Sequence, residues 1–247
     1  MVPSVWKEQR VVEAFDVDVT GRLKPHVLFS FLLSCAWNHA AASGFSFQEL
    51  SERGLMWVLT KFQMSILHMP EWRNEISVET WGKRIERLYA LRDFRVSSVQ
   101  GQRLACATGA WMILDKKSYR PQKLEQLMAS FPWQEGKSEL EGSLQKVAES
   151  TNGQERTQHR VRFSELDINN HVNAANYLKW VMDSYPREVL ESRLVESVEI
   201  SFLAEATVDD EITVSFERVA DQDINTIKRG RDQKDLCRAA LQWQEHR

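Results

Sequence analysis

The chain has 247 residues, room for one large domain or two small ones. Its 43% hydrophobic and 27% charged residues suit a globular protein, and a net charge of −3 argues against nucleic-acid binding by the chain as a whole. Cys35, Cys106 and Cys237 are odd in number, far apart and part of no CxxC or Cys/His pattern, which speaks against zinc and for reduced thiols. The opening MVPSVWKEQR lacks an apolar core, and the longest apolar segment, Val27 to Leu33 with Ser30 inside it, is too short to span a bilayer; the expectation is a soluble, cytoplasmic protein with no membrane span.

In chain order, Arg10 to Phe15 predicts a strand and Val19 to Arg22 a turn. Pro25 to Ser43 predicts a helix, with Pro25 at a tolerated early position and Gly44 as its stop. This helix is apolar nearly all round, so it is expected to be buried on most sides. Strands follow at Met56 to Ile66, Glu75 to Trp81, Ala90 to Ser98 and Arg103 to Asp115, the second of them alternating polar and apolar residues. Residues 122–158 are polar and read as a linker, with short helices around Leu124 to Ser130 and Leu140 to Ser150.

The order then repeats. Arg160 to Phe163 predicts a strand and Ala174 to Tyr185 a helix, whose apolar positions follow helical spacing until Pro186. Strands are expected at Glu196 to Ala204, Glu211 to Val219, Asn225 to Lys228 and Leu236 to Gln244. Consecutive strands around one long helix, twice over, give an α+β fold of two antiparallel sheets, each wrapped around its own helix. The domains are then residues 1–121 and 159–247, joined by the linker.

The segment Asp167-Ile168-Asn169-Asn170-His171-Val172-Asn173 stands between strand and helix in the second half. It places a carboxylate, amides and an imidazole beside a helix N-terminus, where unpaired N–H groups face a developing negative charge. Asp167 is a candidate base or nucleophile, His171 a candidate for proton transfer and Asn169 a candidate oxyanion or water ligand. Capping and turn formation account for the same residue types. The corresponding stretch of the first half, Asp18-Val19-Thr20-Gly21-Arg22-Leu23, keeps a turn but has no Asn or His, which points to function for the second-half set.

The run Phe163 to Asn173, followed by Tyr177-Leu178-Lys179-Trp180, resembles the acyl-ACP thioesterases of bacteria and plants, and the resemblance extends to Phe15-Asp16-Val17-Asp18 and Gly21-Arg22-Leu23. It implies a double hotdog whose C-terminal hotdog carries catalysis through Asp167, Asn169, His171 and a further carboxylate, Glu205. Plant members often have Cys after that Glu; Ala206 stands there here, so no thiolate nucleophile is available at that position. The implied reaction is hydrolysis of acyl carrier protein thioesters without metal or organic cofactor. Either Glu205 and His171 polarise a water, or Asp167 attacks the carbonyl.

The N-terminal hotdog is implied to shape an acyl-chain pocket, for which Phe29, Leu33, Trp37, Trp57 and Leu59 are candidates; ordinary core packing explains the same residues. The carrier protein is acidic, so Arg84, Arg87 and Arg92 are candidates for docking it, beside the plainer reading of solvated hairpin charges. The assembly is a monomer or homodimer. An acyl-CoA thioesterase of the same fold and a non-catalytic acyl-binding protein are the alternatives.

Overall fold

Strand β1 (Trp6–Val11) opens the fold of the computed structural model, which describes residues 2–150 and 152–245. The outermost positions of the expected domains, Met1, His246 and Arg247, lie outside the described residues. After β1 come α1 (Pro25–Ala42), α2 (Phe47–Glu52), β2 (Leu55–Ile66), β3 (Glu75–Glu86), β4 (Tyr89–Ser98), β5 (Arg103–Asp115) and α3 (Leu124–Leu127). The second series is β6 (Gln154–Arg160), α4 (Ala174–Asp183), α5 (Arg187–Ser192), β7 (Arg193–Phe202), β8 (Glu211–Val219), β9 (Gln222–Arg229) and β10 (Asp235–Glu245). The chain divides into two units, residues 1–23 with 28–144 and residues 24–27 with 145–247.

In the first unit the strands run in the order β1-β3-β4-β5-β2, antiparallel throughout. Helix α1 lies against them: Phe29 meets Phe62 of β2 with ring centroids 4.4 Å apart, and the Cys35 thiol donates to the Val78 carbonyl of β3. Gly44, in the left-handed region at φ +82°, ends α1. The Phe45 N–H reaches the Ala40 carbonyl and the Gly44 N–H the Ala41 carbonyl, so the last carbonyls of the helix are satisfied.

The second unit repeats the plan, with strand order β7-β10-β9-β8-β6, again antiparallel. Helix α4 buries Tyr177, Leu178, Val181 and Met182 at helical spacing. The duplication reaches individual hydrogen bonds. Val12 N–H donates to the Asn74 carbonyl at 2.9 Å, and Val161 N–H to the Asp210 carbonyl at 2.9 Å. Arg73 N–H returns to Val12, and Asp209 N–H returns to Val161. Leu67 and His68 both donate to Leu104, as Leu203 and Ala204 both donate to Leu236.

Several local expectations are corrected. The first strand ends at Val11, and Phe15 is exposed on a turn that the Asp16 carboxylate closes by accepting from the Glu13 N–H. Likewise β6 covers Gln154–Arg160, beginning inside the expected linker and ending two residues beyond it, and Phe163 begins a single 3-10 turn, Phe163–Glu165. The cause is Glu165, whose buried carboxylate accepts from the Arg162 N–H at 2.7 Å and pulls the chain out of the strand. The helix expected at Leu140 to Ser150 does not form. Side chains engage that backbone instead: Lys83 donates to the Leu140 carbonyl, Lys61 to the Leu144 carbonyl, and Val147 N–H to the Ser201 hydroxyl. Residues 122–144 are part of the first unit rather than a linker, because Leu124, Met128 and Phe131 join Phe45, Leu50, Ala90 and Ile113 in one buried cluster.

Candidate active site

The turn from Leu166 to Val172 carries the candidate residues, and its backbone explains their placement. Leu166 and Val172 form an antiparallel bridge, and Asp167 N–H donates to the His171 carbonyl at 2.7 Å. The reversal needs a left-handed residue, which Asn170 supplies at φ +63°, a region Asn tolerates better than most side chains. Asn173 then caps α4 by accepting from the Ala175 N–H at 3.0 Å.

Asp167 is a turn residue here. Its Oδ1 accepts from the Asn169 N–H at 2.8 Å and the His171 N–H at 3.4 Å. The first unit builds the same turn: Asp18 Oδ1 accepts from Thr20 N–H at 2.8 Å and Arg22 N–H at 3.2 Å, Asp18 N–H donates to the Arg22 carbonyl, and Gly21 takes the left-handed position. The aspartate and its bonds are therefore common to both units. Asn169, Asn170 and His171 replace Thr20, Gly21 and Arg22.

Glu205 reaches this turn from the segment after β7. Val172 N–H donates to the Ala206 carbonyl at 3.1 Å, which ties the two segments together beside the glutamate. His171 Nε2 lies 3.1 Å from Glu205 Oε2, both side chains being half-buried. An ionised carboxylate only accepts, so the proton of a neutral His171 sits on Nε2 and leaves Nδ1 as the basic nitrogen. In the first unit Leu23 N–H donates to the Pro70 carbonyl at 2.8 Å, so Met69 stands where Glu205 does. That unit thus has the frame of the site without its imidazole, amide or carboxylate.

Behind the turn, Glu165 is a second carboxylate that sequence reasoning passed over. His159 Nε2 donates to it at 2.8 Å and the Trp180 indole at 2.9 Å. Burial opposes its charge, but these bonds and the Arg162 N–H outweigh burial and hold its carboxyl below the usual range. Its carbonyl accepts from Asn173 N–H and from the Asn176 amide, so Glu165 fixes the start of α4.

The other candidates fall in the first unit. Phe29 is completely buried, Trp57 donates to the Phe45 carbonyl at 3.1 Å, Leu33 and Leu59 are half-buried, and Trp37 is exposed beside Phe47. Arg84 pairs with Glu86, and Arg87 is exposed in the hairpin between β3 and β4. Arg92 cannot dock a partner. It is buried on β4, donating to His39 Nδ1 at 3.0 Å and to the Thr80 hydroxyl at 3.2 Å.

Comparison with known proteins agrees with this frame. Residues 3–130 match the model of the acyl-ACP thioesterase N-terminal domain, and residues 148–245 that of the C-terminal domain. The oleoyl-acyl carrier protein thioesterase of Coriandrum sativum is 25% identical over 90% of this chain and 65% of its own length. A palmitoyl-acyl carrier protein thioesterase of Gossypium hirsutum is 23% identical over 97% of this chain and 63% of its own length. The chain thus spans somewhat under two thirds of these chloroplastic relatives. The solved acyl-ACP thioesterase of Bacteroides thetaiotaomicron superposes with a TM-score of 0.86 at 26% identity, covering 98% of both chains. The 12:0-ACP thioesterase of Umbellularia californica, at 21% identity, shares the fold with a TM-score of 0.85 over 100% of this chain and 99% of its own. A double hotdog matched by family models over nearly its whole length, this chain belongs to the acyl-ACP thioesterase family.

Proposed function

We propose that this chain hydrolyses the thioester between a fatty acyl group and acyl carrier protein, using water activated by the His171–Glu205 pair. The observation that carries the reading is the 3.1 Å contact between His171 Nε2 and Glu205 Oε2 in the one unit whose turn has an imidazole. Family membership supplies the substrate class.

Glu205 holds Nε2–H, orients the ring and stabilises the imidazolium that forms during turnover. His171 Nδ1 takes a proton from water as its oxygen bonds to the thioester carbon. The carbonyl oxygen becomes an oxyanion, with the Asn169 amide as its donor. Collapse breaks the C–S bond, and the imidazolium returns its proton to the departing thiolate. The products are a free fatty acid and carrier protein thiol. Asp167 works through the backbone, holding Asn169 and His171 in place, which disfavours its direct attack on the carbonyl. Ala206, completely buried, leaves no thiol beside Glu205.

The test is side-by-side steady-state hydrolysis of acyl-ACP and acyl-CoA of equal chain length. Preference for acyl-ACP, abolished in His171→Ala, supports the reading. Preference for acyl-CoA assigns the other thioester, and binding without turnover assigns a non-catalytic acyl-binding protein.

A further inference from the structure

The peptide that carries Glu205 is gripped from both sides. The Glu205 carbonyl accepts from Arg229 Nη1 at 3.1 Å, and the next N–H, of Ala206, donates to the Tyr177 hydroxyl at 3.0 Å. Tyr177 stands on α4 and is buried, while Arg229 ends β9. Two different elements, α4 and β9, therefore converge on one peptide group. Burial pushes the Tyr177 phenol up, so its oxygen stays a neutral acceptor for the Ala206 N–H.

Arg229 is itself anchored. Its Nη2 meets Asp232 Oδ2 at 2.7 Å, and its Nη1 lies 3.8 Å from Asp210 Oδ2. Asp210 in turn accepts from the Thr207 N–H at 3.0 Å and pairs with Arg231 at 3.1 Å, closing the loop that begins at Glu205. The guanidinium that reaches the Glu205 carbonyl thus has little freedom of its own.

The internal repeat separates what the fold needs from what the site needs. Counted from Asp18 and Asp167, Leu28 stands where Tyr177 does. Through the β3–β4 and β8–β9 pairings, Ile76 opposite Ser98 corresponds to Ile212 opposite Arg229. Pro70, the counterpart of Ala206, has no N–H to give. The first unit keeps the same turn and the same loop closure with neither gripping side chain and without the N–H that Tyr177 holds. The fold forms without them, and they occur where the carboxylate occurs.

We propose that Tyr177 and Arg229 are positioning residues that fix the Glu205 peptide so that its carboxylate meets His171 Nε2. This rests on the reading of His171 and Glu205 as the water-activating pair. Both side chains act through the backbone and need no contact with substrate. A shift of the peptide by a fraction of an ångström lengthens the 3.1 Å contact and weakens the imidazole as a base.

The experiment compares wild type with Tyr177→Phe, Arg229→Gln, Arg229→Lys and Glu205→Gln in steady-state acyl-ACP hydrolysis across pH, each below its melting temperature. Tyr177→Phe and Arg229→Gln are expected to lower kcat by about ten- to a hundredfold with KM within about twofold. They are also expected to move the pH of half-maximal kcat, and Arg229→Lys, which keeps a donor, recovers most of the Arg229→Gln loss. Tyr177→Phe removes one oxygen from a ring that otherwise stays, so it reads the clamp even where an Arg229 variant does not fold. Wild-type kcat and pH profile in Tyr177→Phe, with Glu205→Gln inactive, overturn the clamp alone. Full activity in Glu205→Gln overturns the pair, and the clamp with it.

Discussion

His171 Nε2 and Glu205 Oε2 meet at 3.1 Å although the two residues come from different segments, one from the turn before α4 and the other from the segment after β7. What joins those segments is a backbone bond between Val172 and Ala206, which the first unit reproduces between Leu23 and Pro70. The proximity is therefore a property of the hotdog frame. The chemistry comes from which side chains the frame presents.

Asp167 should tolerate loss of its charge but not loss of its acceptor. Asp167→Asn keeps an oxygen for the Asn169 and His171 N–H groups and is expected to retain kcat within about tenfold of wild type. Asp167→Ala removes it and is expected to cost about 1 kcal/mol of stability along with most of the activity. Urea unfolding and acyl-ACP kinetics on both variants check this. Inactivity of a well-folded Asp167→Asn would restore the nucleophile reading.

Asn170 is needed for its backbone conformation. Asn170→Gly is expected to keep wild-type activity, since Gly21 fills the equivalent left-handed position of the first unit. Asn170→Val is expected to destabilise by about 1–2 kcal/mol, because a β-branched residue resists that conformation. Melting temperatures of the two variants, measured together, decide it.

These residues also show how far the sequence could be read. The polar turn was legible because its members lie within one short segment and its degenerate copy could be set beside it. Glu205 was reached only through resemblance, because its partner is distant in the chain. Tyr177 occupies an apolar position of an amphipathic helix, and nothing in that spacing reveals that its hydroxyl accepts from Ala206. Arg229 becomes visible only once strand register is known. The strand β6 is not legible in the sequence because Gln154 to Arg160 is polar throughout, without the alternation that marks a half-buried strand. By sequence alone Arg92 reads as a hairpin charge, but β4 turns it inward onto His39.

That buried pair predicts a pH dependence of stability. Arg92 can only donate, so His39 Nδ1 accepts and its Nε2–H donates to the Pro3 carbonyl at 3.0 Å. Burial, and then the Arg92 charge, hold the His39 pKa down to about 4. The unfolded chain binds this proton from near pH 6.5 and the folded chain only near 4, so stability falls as pH drops through that window. The loss attributable to His39 is on the order of 3 kcal/mol across the window. His39→Gln, which keeps a donor and an acceptor, is expected to flatten the decline in melting temperature between pH 6.5 and 4; an unchanged decline would remove His39 as its cause.

The basic residues of the first unit divide by burial. Arg87→Ala and Arg84→Ala are expected to leave stability within about 0.5 kcal/mol of wild type. If carrier protein docks there, they raise KM for acyl-ACP more than for acyl-CoA. Arg92→Ala is expected to destabilise the fold by at least about 2 kcal/mol, because it strips His39 and Thr80 of a buried donor. Denaturant midpoints and paired KM values separate the two classes.

The most direct test is the steady-state rate of acyl-ACP hydrolysis by wild type and Glu205→Gln, with folding of both confirmed by circular dichroism. The account predicts a fall in kcat of about a hundredfold or more with KM nearly unchanged, the signature of a lost general-base partner. Turnover by Glu205→Gln at the wild-type rate would contradict it.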